Sequence, residues 1–305
     1  MKLILGKKSF DPNQGCVATI GNFDGLHLGH QTIIKRLKEK AAELDLPLTV
    51  ISFEPLPAEF FMPEPPARIY PMRDKIRLLN ALGVDNYYCL KFDKTFANMP
   101  AETFIKDILQ DKLAVRHLAV GDDFRFGHKR AGDFKLLKKI GADTGMQVTD
   151  TATYEKDGER VSSTRIRQLL ENGDIQAANS LLGHNYQLSG RIRHGDKRGR
   201  TIGFPTLNMR LLNHIAPARG VYAVQVHGLA DKALGGVANL GARPTVNGTE
   251  NRLETHLFDF DENVYGRYIC VELLEFLRPE QRFDDFEKLK GQIRKDAEQA
   301  RKLVF

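Results

Sequence analysis

The stretch Gly21-Asn22-Phe23-Asp24-Gly25-Leu26-His27-Leu28-Gly29-His30 constrains this chain more than any other. It follows an apolar run, Cys16-Val17-Ala18-Thr19-Ile20, that reads as a buried strand. It precedes 31–44, where Ile33, Ile34, Leu37, Ala41 and Leu44 recur at helical spacing. Two histidines therefore stand at the mouth of a helix, just after a glycine-rich turn. Unpaired backbone N–H groups and the positive end of the helix favour a phosphate there, and glycine lets the backbone approach an anion closely. The two imidazoles offer hydrogen bonds to oxygens that gain charge in phosphoryl or nucleotidyl transfer. One histidine beside a turn is most often a surface residue; His-x-Gly-His between a strand and a helix is more specific.

The 305 residues suffice for two ordinary domains, and a composition of 42% hydrophobic and 28% charged residues fits a globular protein. No run approaches the ~18 apolar residues of a membrane span. The Leu-Ile-Leu segment near the N-terminus is too short for a signal-peptide core, so a cytoplasmic location is expected. Cys16, Cys89 and Cys270 lack metal-like spacing and read as reduced packing residues. Lys plus Arg number 45 against 39 Asp plus Glu, but no block of like charges forms. A solvated surface accounts for most of the excess; the functional reading is attraction for polyanionic small molecules. A basic stripe interleaved with aromatics, as nucleic-acid binding wants, is not found, and no nucleic-acid or membrane partner is expected.

Strand-like and helix-like segments alternate through the first part of the chain. Leu48 to Phe53, Tyr87 to Leu90, His117 to Val120 and Met146 to Thr149 read as strands; Asp74 to Leu82, Ala101 to Leu109 behind Pro100, and Phe134 to Ile140 read as helices. Alternation at this spacing predicts a parallel sheet covered on both faces, with ligands outside the carboxyl ends of its strands. Ile175 to Leu182 is a last helix, ending at Gly183. Beyond about residue 184, short strands follow one another: Gln187 to Ile192, Gly220 to Val226, Ala233 to Asn239, Arg252 to Phe258 and Tyr268 to Leu274. This pattern predicts an antiparallel barrel or sandwich. The chain closes with a helix from Phe283 to about Leu303, with an apolar stripe of Phe286, Leu289, Ile293, Ala297 and Ala300.

Three further segments carry chemistry. Gly121-Asp122-Asp123-Phe124-Arg125-Phe126-Gly127 ends a strand and offers carboxylates and aromatics to an adenine, a ribose or an aromatic substrate; alone it reads as an ordinary turn. Val161-Ser162-Ser163-Thr164-Arg165-Ile166-Arg167 is a helix N-cap that also aims hydroxyls, N–H groups and two arginines at phosphates. The Gly-rich stretch 195–208 lacks the Gly-Lys-Ser/Thr ending of a Walker A loop. Its Thr206 and Asn208, two apart, point the same way from an extended strand, a pair suited to Mg²⁺ on a nucleotide's phosphates.

The His-x-Gly-His turn resembles the signature of the nucleotidyltransferase superfamily, to which class I aminoacyl-tRNA synthetases also belong; a Lys-Met-Ser-Lys-Ser-like loop and an anticodon-binding region are not found. Over nearly its whole length the chain is similar to the prokaryotic bifunctional riboflavin kinase/FMN adenylyltransferases, or FAD synthetases. The resemblance rests on Gly21 to His30, Gly121 to Gly127, Ser162 to Arg167, Gly203-Phe204-Pro205-Thr206-Leu207-Asn208, Gly220-Val221-Tyr222, Asn239 to Thr245, and Glu254-Thr255-His256, in this order. It implies an α/β nucleotidyltransferase domain with a Rossmann-like parallel sheet over 1–184. A six-stranded antiparallel β-barrel kinase domain with a C-terminal helix follows over 185–305. The kinase would convert riboflavin and ATP to FMN and ADP; the adenylyltransferase would convert FMN and ATP to FAD and pyrophosphate.

By motif match, His27 and His30 would stabilise charge on the ATP phosphates, and Ser163, Thr164 and Arg167 would hold the leaving pyrophosphate. Asp123 would help bind the adenine nucleotide, while Asn22, Asp24 and Gly29 belong to the catalytic, nucleotide-binding turn. Thr206 and Asn208 would hold Mg²⁺ and ATP, and Glu254 would be the general base for riboflavin's 5′-hydroxyl. Without the resemblance Glu254 reads as a surface strand residue. Mg²⁺ with ATP and the flavins riboflavin, FMN and FAD are the ligands this implies. Leu207 stands where the family often has Ala, and Pro55-Leu56-Pro57 where many members carry Pro-His-Pro.

Overall fold

The structure is a computed structural model. It describes residues 1–6, 15–121, 123–195, 203–211, 218–245 and 248–304, and the side chains of these except 242–245 and 248–250. Asp122, residues 196–202 of the Gly-rich stretch and the side chains of Arg243, Pro244 and Thr245 lie outside what is described. The chain divides into two compact units, Met1–Pro66 with Lys75–Val161, and Ala67–Asp74 with Ser162–Phe305.

The first unit is built on a six-stranded sheet: β1 Lys2–Leu5, β2 Cys16–Ile20, β3 Leu48–Glu54, β4 Asn86–Lys91, β5 Val115–Val120 and β6 Gln147–Asp150, in the order β1-β4-β3-β2-β5-β6. Every neighbouring pair is parallel. All five residues of the central strand β2 are buried, as expected of a strand covered on both faces. Ile20, Ile51, Tyr88, Leu118 and Val120 from the sheet pack with Phe104, Ile105, Ile108 and Leu137 in one core. The helices are α1 Leu28–Glu43, α2 Pro57–Phe61, α3 Met72–Ala81, α4 Lys94–Ala97, α5 Ala101–Thr103 and α6 Phe134–Thr144. The helix expected over 101–109 starts as α5, with Pro100 as its N-cap, and continues as a π-helix over Phe104–Lys112. Here the wider winding buries Phe104, Ile105, Ile108 and Leu109 together. Strand β1 was not anticipated: a four-residue edge strand leaves little periodicity to read.

A two-stranded hairpin follows, β7 Glu155–Lys156 with β8 Glu159–Arg160. The second unit opens with α7 Ser163–Glu171 and α8 Ile175–Leu182 and continues into a closed, wholly antiparallel barrel. Its strands are β9 Gln187–Arg193, β10 Leu207–Leu211, β11 Gly220–His227, β12 Leu234–Thr245, β13 Gly248–Leu257 and β14 Tyr268–Arg278, in the order β10-β13-β12-β11-β14-β9. Pairing of Met209 with Ile192 closes the ring and removes free edges. The closing helix, Phe286–Val304, lays Ala297 and Ala300 on Val221, Ala223, Val237 and Phe258. It is tied down by a bidentate bond from Arg278 to Asp296, 2.7 Å at its shortest. The first residue of the expected stripe, Phe286, is 53% exposed, so the helix packs mainly through its second half.

Candidate active sites

In the first unit the turn after β2 is shaped by its backbone. Phe23, Gly25 and Leu26 all have positive φ, which folds the chain back on itself before α1. His27 is the N-cap of α1, and its Nδ1 accepts the His30 N–H at 3.4 Å. The two imidazoles stack with centroids 3.7 Å apart, and Phe23 lies 4.9 Å from the His30 ring on another side. Gly29 packs closely on this pair: a Cβ there would stand 3.2 Å from the His27 ring, a tight contact. Asp24 and His27 are buried, while Asn22 is exposed.

The charge state of this pair follows from its surroundings. Burial lowers the His27 pKa to about 4, against a smaller upward pull from Asp24. Burial, His27 and the ammonium of Lys75 hold His30 well below the ordinary histidine value. Both rings are therefore neutral near pH 7. His30 Nδ1 is buried and has no hydrogen-bond partner among the described residues. Lys75, on α3, is itself buried, and its Nζ donates to the Asn22 carbonyl at 2.7 Å.

Beside this turn lies a cavity of about 860 Å³, bounded by Gly21 and Asn22 and lined by Phe53, Phe60, Phe61, Phe92, Phe96, Phe104, Phe124 and Phe126. Phe92 is its hub, with the rings of Phe53, Phe60, Phe61 and Phe96 each within 5.7 Å. His128, Lys129 and Arg130 add cationic or protonatable groups to the wall. Asp123, at the end of β5, is exposed and faces Arg160 at 3.4 Å.

Ser163, Thr164 and Arg167 fall in the second compact unit. Ser162 caps α7 by accepting the Arg165 N–H at 3.3 Å, which leaves Ser163 and Thr164 in the first turn. Arg167 Nε donates to the Ala67 carbonyl at 2.6 Å. In the barrel, Asn208 Nδ2 lies 3.3 Å from the Thr206 carbonyl and 3.4 Å from Thr206 Oγ1. Asn208 Oδ1 is buried without a hydrogen-bond partner among the described residues. Gly195 lies so close to Asn208 that a Cβ there would clash with its side-chain amide. Glu254 is the cross-strand neighbour of Asn208 on one side and of Asn239 on the other. Its side chain is 41% exposed, 3.7 Å from Arg252. Thr206 and Leu207 border a second cavity of about 520 Å³, also lined by residues 260–265 and by His194, whose ring lies tilted against Tyr265 with centroids 3.7 Å apart.

A family model described as FAD synthetase matches residues 9–165, and one described as riboflavin kinase matches 182–304. The chain is 48% identical to the bifunctional riboflavin kinase/FMN adenylyltransferase of Escherichia coli strain K12, across 99% of this chain and 98% of that protein. It is 45% identical to the protein of the same name from Pseudomonas fluorescens, across 100% and 98%. The chain belongs to the bifunctional riboflavin kinase/FMN adenylyltransferase family. A solved structure of a Streptococcus pneumoniae protein, described as a macrolide-efflux protein, shares the fold with a TM-score of 0.81 at 30% identity, covering 98% of this chain and 99% of that one. No helix among the described residues is long and apolar enough to cross a membrane.

Sequence reasoning located the His27–His30 turn but missed two of its neighbours. Lys75 gave no signal, since a single lysine on an amphipathic helix reads as a solvated face. The aromatic cavity was foreshadowed only by Phe124 and Phe126; its other rings come from segments far apart in the chain.

Proposed function

We propose that the region 1–184 adenylylates FMN and the region 185–305 phosphorylates riboflavin, each with its own ATP, so that the two family activities run at separate sites. The observation that carries this reading is the pair of stacked, neutral imidazoles at the N-terminus of α1, beside an aromatic cavity. In the adenylyltransferase, FMN's phosphate attacks the α-phosphorus of ATP in line, and pyrophosphate leaves. Ring N–H groups of His27 and His30 donate to phosphate oxygens as charge builds, assisted by the end of the helix. The ammonium of Lys75 adds positive potential from beneath the turn. Phenylalanine faces and edges in the cavity receive the flavin rings, which bury a large apolar surface. Asp123 contacts the adenine nucleotide, and Ser163, Thr164 and Arg167 hold the departing pyrophosphate. Positioning and charge neutralisation suffice, and no protein nucleophile is required.

In the kinase, Glu254 takes the proton from riboflavin's 5′-hydroxyl as that oxygen attacks the γ-phosphorus, releasing ADP. Mg²⁺ fits the neighbouring pair, since the orphaned Asn208 Oδ1 and the Thr206 hydroxyl are the hard oxygens it prefers. Thr206 and Asn208 would hold the ion, which supplies neutralisation of the nucleotide's phosphates when bound. The nucleotide itself would occupy the 520 Å³ cavity beside Thr206. The substrates are small molecules, and a cytoplasmic location agrees with where ATP and riboflavin are turned over. Incubation with riboflavin and Mg-ATP tests the whole reading: FMN, FAD, ADP and pyrophosphate are the expected products, and binding of flavin without turnover contradicts it.

A further inference from the structure

We infer that His256 is a positioning residue of the kinase site, whose ring N–H holds the Pro205 carbonyl and thereby fixes the peptide that presents Thr206. The inference rests on the reading of Thr206 and Asn208 given above. His256 Nδ1 lies 2.9 Å from the Pro205 oxygen. A carbonyl only accepts, so Nδ1 carries the hydrogen, and in the neutral ring Nε2 is left as the acceptor.

Among the described residues, the Thr206 backbone has one other side-chain restraint, Asn208 Nδ2 at 3.3 Å from its carbonyl. Pairing between β10 and β13 begins at Leu207 with Thr255, one residue after Thr206. Pro205 has no N–H to give to a ladder, so its carbonyl is its one backbone handle. His256 lies two residues beyond Glu254 on the same strand, so both project from one face of β13. It thus extends that strand's grip past the end of the ladder. The imidazole is held in turn by its neighbours. Phe204 meets it edge to face at 5.1 Å and Phe258 at 6.0 Å. The Arg301 guanidinium covers Phe258 at 4.4 Å and is paired with Asp259 at 2.8 and 3.0 Å. A ring locked on both sides delivers its donor in one direction, which is what a positioning group needs.

Two variants of the full-length protein separate the hydrogen bond from the packing. His256→Phe keeps the aromatic ring and removes the donor; His256→Asn removes the ring and sets an amide N–H at the Nδ1 position. Steady-state FMN formation gives KM for Mg-ATP and for riboflavin, and FAD formation from supplied FMN serves as the internal control. His256→Phe is expected to raise KM for Mg-ATP about tenfold, the weight of one such bond, with KM for riboflavin and FAD formation unchanged. His256→Asn is expected to recover most of that loss. Wild-type kinetics in His256→Phe, equal impairment of the two variants, or a fall in FAD formation in both overturns the inference. Thr206→Ala run alongside distinguishes the levels. Unchanged Mg-ATP kinetics there contradict the metal-pair reading and the inference with it. A loss at Thr206→Ala beside wild-type behaviour of His256→Phe contradicts the inference alone.

Discussion

At the strand-to-helix turn of the first unit, His27, Gly29 and His30 lie within one helical turn of sequence, whereas in the barrel Asn208, Asn239 and Glu254 come from three strands and meet only through register. The first site is made by local backbone geometry: positive φ at Phe23, Gly25 and Leu26, a histidine N-cap, and a glycine pressed against an imidazole. Its two imidazoles are neutral near pH 7. The second is made by cross-strand pairing, with a half-exposed carboxylate beside buried amide oxygen. A locally built site withstands little substitution within its turn. A site assembled by register depends instead on small residues and backbone handles that keep three strands aligned.

The sharpest break between the two comes from removing one group in each. His30→Ala should lower FAD formation from FMN by about 10²- to 10³-fold, as loss of a transition-state donor does, and leave FMN formation intact. Glu254→Ala should lower FMN formation by about 10²- to 10⁴-fold, the range of general-base catalysis, and leave FAD formation intact. Chromatography of the flavin products reads both.

Acid comes next. The folded protein holds His27 near pKa 4, below the 6.5 of the unfolded chain, so between those values the unfolded state binds more protons. Stability is therefore full above about pH 6.5 and falls as pH drops towards 4, with His27 contributing about 3 kcal/mol of that loss. Thermal melts from pH 7 to 4 should show an acid limb that is shallower in His27→Gln.

Lys75→Met should reduce FAD formation about thirtyfold, since the variant loses a buried charged hydrogen bond to the Asn22 carbonyl. It also removes a charge that holds His30 low. The acid limb of its pH–rate profile should accordingly move to higher pH, with the kinase unaffected. In the barrel, Gly195→Ala forces a Cβ onto the Asn208 amide. It should cost FMN formation about tenfold, in line with overpacking of 1–3 kcal/mol, and spare FAD formation.

The same contrast governs what could be read from sequence. The parallel sheet and the His-x-Gly-His turn were legible because buried strands are near-continuous apolar runs and the turn's residues are contiguous. Thr206 and Asn208 were legible as a pair because they sit two apart on one extended segment. Glu254 read as an ordinary strand residue until the family motif was considered, since the register that sets it opposite Asn208 is not written in local periodicity. Lys75 was invisible because its burial depends on how α3 meets the turn. The aromatic cavity was mostly invisible because scattered phenylalanines read individually as core. The π-winding over Phe104–Lys112 escaped because its apolar spacing also satisfies an α-helix.

Two separate sites in one chain predict that defects in them complement each other in solution. The most direct measurement is FAD production from riboflavin and Mg-ATP by His30→Ala alone, Glu254→Ala alone, and an equimolar mixture. His30→Ala should stop at FMN, Glu254→Ala should leave riboflavin unconverted, and the mixture should make FAD as free FMN passes from one protein to the other. Loss of both activities in either single variant, or no FAD from the mixture, contradicts the two-site account.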